Sequence, residues 1–199
     1  MSGMPMSGAA ADASAPAITG SAAVDAAQDE CDALAARVLD ACRARGWKIA
    51  CAESLTGGLL ADAFVSIPGA SEVFLGSAVT YAIAAKAHVL GVDTGLLSRE
   101  GAVHPEVARQ MASGTAALYA GASPAFAGRV IGLSTTGVAG PGPDGDKPAG
   151  LAYIGRALPG EGAVADEVHV PGDRGQVRRG VVLAVLRGLD AALGGSFRG

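Results

Sequence analysis

The fold is decided by one stretch of the sequence, Ala52-Glu53-Ser54-Leu55-Thr56-Gly57-Gly58-Leu59-Leu60. It follows the short apolar run 47–52 and leads into residues 59–65, which have the composition of a helix. The stretch therefore predicts a core strand, a tight polar turn and a helix. The first N–H groups of a helix lack intrahelical partners, so they are available to whatever lies in the turn. A hydroxyl group beside them can cap the helix, help to bind an anion, or act as a nucleophile next to an oxyanion site.

Composition limits the class of protein. The chain has 199 residues, half of them hydrophobic and 17% charged, so it can form one domain with a full core. Only 4% of the residues are aromatic, which predicts a core of Ala, Val, Leu and Ile with closely packed elements. The net charge is −4 and no basic run is present, which argues against nucleic acid as a partner.

Cysteine usage and the lack of targeting signals indicate the cytoplasm. Cys31, Cys42 and Cys51 are an odd number at wide spacing, which is typical of reduced thiols rather than of a disulfide framework. Cys51 lies inside the first apolar strand and is predicted to be a core residue. No apolar run reaches the roughly 18 residues of a membrane span, and the N-terminus lacks a signal-peptide pattern. We therefore expect a cytoplasmic protein without a membrane partner.

Apolar periodicity and turn residues predict an α/β domain. Residues 1–25 lack an apolar period and are predicted to form a disordered tail before a domain over residues 26–199. Alternatively, the alanines of this segment extend the helix that follows. The predicted strands are 47–52, 73–81, 128–135, 150–158 and 164–170. The predicted helices are 31–45, 59–65, 82–90, 94–99, 105–119 and 174–193. We expect a bulge at Gly76 and a helix cap at Asp173. Strands and helices alternate until a closing hairpin, which predicts a three-layer α/β/α sandwich with a mixed sheet.

Three polar, glycine-rich connections follow strands of this predicted sheet, and they begin near Ser54, Tyr81 and Thr136. In open α/β sheets, ligands bind beyond the carboxyl ends of the strands, so these connections predict a pocket. The long connection over residues 136–148 lacks the glycine spacing of a dinucleotide site, and no His/Cys/Asp cluster has metal-ligand spacing. We therefore expect neither a catalytic metal nor a cofactor.

Five segments carry a family resemblance: Ala52-Glu53-Ser54-Leu55-Thr56-Gly57-Gly58; Val79-Thr80-Tyr81 with Ala85-Lys86 and Gly91-Val92; Thr136-Gly137-Val138-Ala139-Gly140-Pro141; Lys147-Pro148-Ala149-Gly150; and Pro171-Gly172-Asp173-Arg174. In this order and spacing they resemble the CinA C-terminal domain family, which includes bacterial nicotinamide-nucleotide amidohydrolases. The resemblance runs from about residue 30 to the end. Long members carry a second, N-terminal domain. The 199 residues leave no room for such a domain, so the resemblance implies the stand-alone amidase type.

The resemblance also implies a reaction, the hydrolysis of the carboxamide of nicotinamide mononucleotide to nicotinic acid mononucleotide and ammonia in pyridine-nucleotide salvage. It further implies a serine–lysine mechanism, with Ser54 as nucleophile and Lys86 as general base. Lys86 lies among alanine and aliphatic residues without a nearby carboxylate, and burial lowers a lysine pKa. Among the histidines, His104 is the alternative base, whereas His88 faces away from Lys86 and His169 is typical of a sheet surface.

Further site residues are assigned around this pair. The candidate oxyanion donors are the N–H groups of Thr56, Gly57 and Gly58. The candidate substrate-binding residues are Tyr81, Thr136, Gly137, Gly140 and Arg174. Arg174 either binds a phosphate or pairs with Asp173 at the helix end. Tyr81 either contacts the ligand or lies at the core rim. Ser54 and Thr56 can also act only as helix caps.

The chain departs from the family at two places. Residues 82–85 are apolar where the family usually has polar residues, and His104 stands where serine is common. Glu53 either orients a neighbour or simply ends the strand. The departures favour a second hypothesis, a non-catalytic nucleotide-binding or competence/damage-inducible protein with a degenerate site. In both cases we expect a small-molecule ligand and a homo-oligomer.

Overall fold

The computed structural model describes residues 21–195, so most of the predicted tail lies outside the described residues. The helices are α1 (Ser21–Arg45), α2 (Leu59–Val65), α3 (Ile83–Leu90), α4 (Thr94–Glu100), α5 (Pro105–Ala120) and α6 (Arg174–Gly195). The strands are β1 (Lys48–Glu53), β2 (Phe74–Val79), β3 (Val130–Gly137), β4 (Leu151–Ala157) and β5 (Val164–His169). Two short 3₁₀ helices, Ala70–Glu72 and Pro124–Phe126, precede β2 and β3.

The five strands of the described part form one mixed sheet in the order β2-β1-β3-β4-β5. β1 pairs in parallel with both β2 and β3, whereas β3, β4 and β5 are antiparallel neighbours. The predicted mixed sheet with a closing hairpin is therefore confirmed. β1 and β3 are buried over nearly their whole length, because parallel central strands are covered on both faces.

Helices cover both faces of the sheet, which confirms the three-layer sandwich. α1, α2 and α6 share one core cluster on the first face, with side chains such as Leu39, Phe64 and Leu186. The second face carries a smaller cluster that joins α3, α4 and α5, with Leu90, Leu97 and Met111 among its members. Cys51 is fully buried in the larger cluster, as its position in the strand predicted.

Helix α5 lies unusually close to the sheet. A Cβ atom on Gly132 of β3 would lie 2.0 Å from the carbonyl oxygen of Ala112. A Cβ atom on Gly155 of β4 would lie 2.5 Å from the carbonyl oxygen of Ala108. Only glycine allows this approach of two backbones. The close packing that the aromatic-poor composition predicted is present here.

Two predicted boundaries and one predicted bulge can be compared with the structure. Helix α1 begins at Ser21, so the alanine-rich residues before Cys31 extend the helix, which was the alternative to a tail. Strand β3 continues to Gly137, since Thr136 and Gly137 pair with Tyr153 and Ala152 of β4 rather than opening the loop. The bulge predicted at Gly76 is confirmed: successive residues of β1 pair with Phe74 and then Gly76, which leaves one residue of β2 unpaired.

The carboxyl ends of β1, β2 and β3 lie side by side. Glu53, the last residue of β1, pairs with Val79 of β2 and with Thr135 of β3. The turn that starts at Ser54, the connection from β2 to α3 and the loop after β3 therefore leave the sheet at the same edge. In residues 21–195 no helix has the length and apolar character that crossing a membrane requires.

Candidate active site

Ser54 and Lys86 meet at this edge of the sheet. Ser54 follows β1, and its backbone N–H donates to the carbonyl oxygen of Thr135 at 3.0 Å, which continues the ladder by one residue. Lys86 lies in the first half of α3, and its side chain is fully buried. The Lys86 Nζ atom lies 2.9 Å from Ser54 Oγ. This distance is within hydrogen-bond reach, which is what a nucleophile and its general base require.

Burial makes the neutral form of the Lys86 amine more accessible than it is in a free lysine. Two backbone carbonyl oxygens accept from Nζ, that of Thr80 at 2.8 Å and that of Tyr81 at 3.2 Å. No ion pair to Lys86 occurs in the described residues, and burial lowers the pKa of its amine to about 8. A neutral amine has two N–H groups and one lone pair. The two carbonyls take the N–H groups, so the lone pair is left for the Ser54 hydroxyl.

Glu53 organises the turn from its buried side. Its carboxylate accepts five hydrogen bonds, from the Thr56 and Ser77 hydroxyls and from the N–H groups of Gly58, Leu60 and Ala61. Three of the five donors are backbone groups at the start of α2, where a negative side chain is favoured. Glu53, which the sequence left ambiguous, is therefore the residue that caps α2.

This arrangement changes the assignment of the oxyanion donors. The N–H of Gly58 donates to Glu53 Oε2 at 2.8 Å, so the assignment of Gly58 as an oxyanion donor is corrected. The Thr56 hydroxyl lies 2.7 Å from Glu53 and 2.8 Å from the Thr135 hydroxyl, so this side chain is a buried link between elements. In the described residues, no acceptor takes the N–H groups of Leu55, Thr56 and Gly57. These three groups are the remaining donors next to Ser54.

A cavity of about 340 Å³ opens above the pair. Both Ser54 and Lys86 line it, and so do five of the predicted substrate-binding residues, Tyr81, Thr136, Gly137, Gly140 and Arg174. A second cavity, of about 200 Å³ between α1, α2 and α6, shares none of these lining residues. The cavity above Ser54 is therefore the one that brings the predicted residues together, whereas Thr56, Gly57 and Gly58 do not line it.

Arg174 joins two sides of the cavity mouth. Its guanidinium donates to the Gly140 carbonyl oxygen at 2.7 Å and to the Tyr81 hydroxyl at 3.3 Å. The alternative for Arg174 was an ion pair with Asp173. Asp173 instead accepts from the Gln176 N–H at 2.9 Å and caps α6 as predicted. Arg174 and Tyr81 are both exposed, so their polar groups are accessible to a ligand in the cavity.

The histidines lie elsewhere. His104 caps α5, since its Nδ1 accepts from the Glu106 N–H at 3.2 Å, and it does not line the cavity. His88 is exposed on α3, and His169 lies 2.8 Å from a Glu167 oxygen on the surface of β5. None of them contacts Ser54. Within residues 21–195 no group of three or more His, Cys, Asp or Glu residues is placed to hold a metal ion.

Sequence reasoning missed several residues of the site. The apolar side chains of Ile83, Val103 and Val138 line the cavity together with the predicted polar residues. Arg178 of α6 contacts the turn after Ser54, although it does not line the cavity. Its spacing of four residues from Arg174 was the available signal, because such residues lie on one face of a helix. The Thr80 hydroxyl is buried, and no group of residues 21–195 forms a hydrogen bond with it.

Known proteins are similar to most of this chain in sequence and in fold. The family described as "CinA C-terminal domain" matches residues 31–193. A "CinA-like protein" of Frankia casuarinae is 45% identical over 155 residues, which is 78% of this chain and 34% of that protein. A "putative competence-damage inducible protein" of Clostridium acetobutylicum is 47% identical over 139 residues, 69% of this chain and 32% of that protein. The chain thus spans about a third of the length of these relatives.

Solved structures match over nearly their whole length. The crystal structure of a competence damage-inducible protein A from Klebsiella pneumoniae has a TM-score of 0.74 and 31% identity, covering 82% of this chain and 97% of that one. A competence/damage inducible protein from Agrobacterium tumefaciens has a TM-score of 0.73 and 33% identity, covering 83% of this chain and 96% of that one. The names of these four proteins refer to CinA or to competence and damage induction, and they state no reaction.

Proposed function

The chain belongs to the CinA C-terminal domain family, and from that premise we propose that it is an amidohydrolase with Ser54 as nucleophile and Lys86 as general base. One observation carries the proposal: a fully buried lysine amine lies 2.9 Å from a serine hydroxyl at the floor of a cavity. A serine hydroxyl is a weak nucleophile until a base removes its proton. A lysine can be that base near neutral pH only when its pKa is lowered, and burial lowers the pKa of Lys86 to about 8.

The proposed reaction uses these two side chains in turn. Neutral Lys86 takes the proton of the Ser54 hydroxyl while Ser54 Oγ attacks the carboxamide carbon, and the carbonyl oxygen becomes an oxyanion. The protonated amine then gives its proton to the leaving nitrogen, which departs as ammonia and leaves an ester on Ser54. Water next attacks the ester carbon while Lys86 accepts a proton from it. Return of that proton to Ser54 Oγ releases the carboxylic acid and restores both groups.

The two carbonyl oxygens beside Lys86 fit both stages of this cycle. They accept from the amine whether it is neutral or protonated, so the side chain keeps its position as the proton moves. In the protonated state the third N–H points to Ser54 Oγ or to the leaving group. The N–H group of Leu55, the one residue of Leu55, Thr56 and Gly57 that lines the cavity, is the candidate donor for the oxyanion, which needs preorganised N–H groups in a site shielded from water.

For the substrate we propose nicotinamide mononucleotide, which the family resemblance suggests. Its carboxamide would lie over Ser54, and its phosphate is a match for the exposed guanidinium of Arg174. Tyr81 and Ile83 provide an aromatic and an apolar side chain at the mouth, which suits a planar ring. The site would work in pyridine-nucleotide salvage.

Ammonia release from nicotinamide mononucleotide tests the proposal. We expect release by the wild type and a loss on the order of 10⁴-fold or more in Ser54→Ala, since removing a serine nucleophile has effects of this size. Ser66→Ala is the matched control, because Ser66 is exposed at the far end of α2. No release by the wild type would contradict the proposed reaction and favour a non-catalytic nucleotide-binding protein. Release that survives Ser54→Ala would rule out the nucleophile.

A further inference from the structure

The guanidinium of Arg178 donates two hydrogen bonds to the turn that follows Ser54. This half-buried side chain of α6 donates from Nε to the Leu55 carbonyl oxygen at 2.9 Å and from Nη2 to the Thr56 carbonyl oxygen at 2.7 Å. The two carbonyls belong to consecutive peptide units, Leu55–Thr56 and Thr56–Gly57, which begin one residue after the nucleophile. More than 120 residues separate them from Arg178 in the chain, so the contact fixes the turn to a distant helix.

Glu53 and Arg178 hold the turn at different groups. Glu53 takes N–H groups at the start of α2 and the Thr56 hydroxyl, whereas Arg178 takes the two carbonyls between Ser54 and that helix start. Arg178 does not line the cavity, while Arg174, one turn earlier on α6, does. Arg178 is therefore placed to act on the site through the turn and without touching a substrate.

The contact also fixes the direction of two N–H groups. In a planar trans peptide the N–H points opposite to the C=O of the same unit. The Leu55 carbonyl shares its peptide unit with the Thr56 N–H, and the Thr56 carbonyl shares its unit with the Gly57 N–H. Both N–H groups therefore point away from the guanidinium, and in the described residues neither has an acceptor. Gly57 adopts the left-handed φ of 57° that this turn requires, which glycine does without strain.

From these contacts we propose that Arg178 is a positioning residue for the hydrolysis, a role that rests on the proposed function. By holding the carbonyls of Leu55 and Thr56, it fixes the turn that carries Ser54 and so keeps Ser54 Oγ against Lys86. A purely structural contact would stabilise the fold equally but would leave the chemical step unchanged in the folded protein.

Steady-state kinetics of Arg178→Met test this role, because methionine removes every donor and keeps an unbranched side chain. We expect kcat for ammonia release to fall about 100-fold while KM stays within about threefold, since small misplacements of reacting groups act on the chemical step. Arg179→Met is the matched control: Arg179 is the exposed neighbour on α6 and lies outside the cavity above Ser54, so it keeps the wild-type kcat. A folded Arg178→Met enzyme with wild-type kcat would overturn the role and leave the proposed function intact.

Two further measurements keep the test decisive. If Arg178→Met does not fold, Arg178→Lys replaces it, because one ammonium group can hold one of the two carbonyls, and an intermediate kcat is expected. The rate at which a fluorophosphonate modifies Ser54, followed by mass spectrometry, needs no amide substrate. In this step the Ser54 oxygen displaces fluoride from phosphorus and Lys86 takes the proton. We expect a slower rate in the Arg178 variant even if no amide is hydrolysed, and an unchanged rate would overturn the role.

Discussion

Glu53 and Lys86 are two fully buried ionisable side chains on either side of Ser54, and their surroundings are opposite in kind. The Glu53 carboxylate accepts five hydrogen bonds, from two hydroxyls and three backbone N–H groups. Among the described residues, the hydrogen-bond partners of the Lys86 amine are two carbonyl oxygens and the Ser54 hydroxyl. No ion pair involves either side chain in the described residues.

The difference separates a group that holds the site from a group that reacts. Glu53 lies where several N–H groups would otherwise be buried without partners, so its five contacts stabilise the turn and leave it no capacity for substrate. Two carbonyl oxygens hold the Lys86 amine in place, and the third hydrogen-bonding position of the amine faces Ser54 Oγ. The same degree of burial thus produces a structural cap on one side of Ser54 and a candidate base on the other.

The largest expected effect comes from removing the reactive member of the pair. Lys86→Met should lower kcat for ammonia release by a factor on the order of 10⁴, because the proton acceptor for Ser54 is lost. Its free energy of unfolding should stay the same or rise, since an apolar side chain replaces a buried amine. Both are measured on one preparation, by ammonia release and by urea unfolding.

Lys48→Met is the control for this change, because Lys48 is the first residue of β1 and Ser54 follows the last one. It should keep the wild-type kcat. An active Lys86→Met protein would remove the distinction between the two buried groups, because Lys86 would then be structural as well.

The next largest effect concerns the structural member. Glu53→Gln replaces an acceptor-only group by one with an NH₂, which would face backbone N–H donors at the start of α2. We expect a loss of about 3 kcal/mol in the free energy of unfolding, as for a broken set of buried, charge-assisted hydrogen bonds. Urea unfolding against Glu72→Gln checks it, since Glu72 pairs with Arg43 on the surface. Equal losses in the two variants would contradict the structural role of Glu53.

The sequence predicted those elements whose signals are local. Helix α2 was predicted to the residue because Gly58 and the Pro68-Gly69 pair mark its two ends. The end of β3 was missed by two residues, because the extended form of Thr136 and Gly137 depends on pairing with β4 rather than on their own composition. The sequence left the start of α1 open, because alanine-rich residues fit either a tail or an extension of the helix.

The site residues likewise divide into those that a sequence motif names and those whose contacts depend on packing. The sequence motifs named Ser54, Lys86 and Arg174, and all three line one cavity. The contact of Glu53 with Ser77 could not be predicted, because Ser77 lies on another strand. The spacing of Arg178 from Arg174 indicates a shared helix face, but the contact of Arg178 with the turn depends on how α6 packs against α2.

The smallest expected effect tests the pKa of Lys86 through pH. The general base must be neutral, and burial lowers its pKa to about 8, so kcat/KM should rise about tenfold between pH 7 and pH 9 and then level off. The ascending limb is measured by ammonia release over this range. If His104 were the base, the limb would lie lower, near the usual histidine pKa of about 6.5, and His104→Ala would abolish it.

The protonation of Lys86 can also be followed without a substrate, through the pH dependence of the free energy of unfolding. The Lys86 pKa falls from 10.5 to about 8 on folding, so between these values the unfolded chain holds more protons. The free energy of unfolding therefore rises with pH in this window, by about 1 kcal/mol between pH 8 and pH 9. Burial raises the pKa values of Cys31, Cys42 and Cys51, so their contribution falls as pH passes 9. Because Lys86→Met keeps the thiols, subtracting its urea-unfolding curve isolates Lys86, and a flat difference would show that the amine stays protonated on folding.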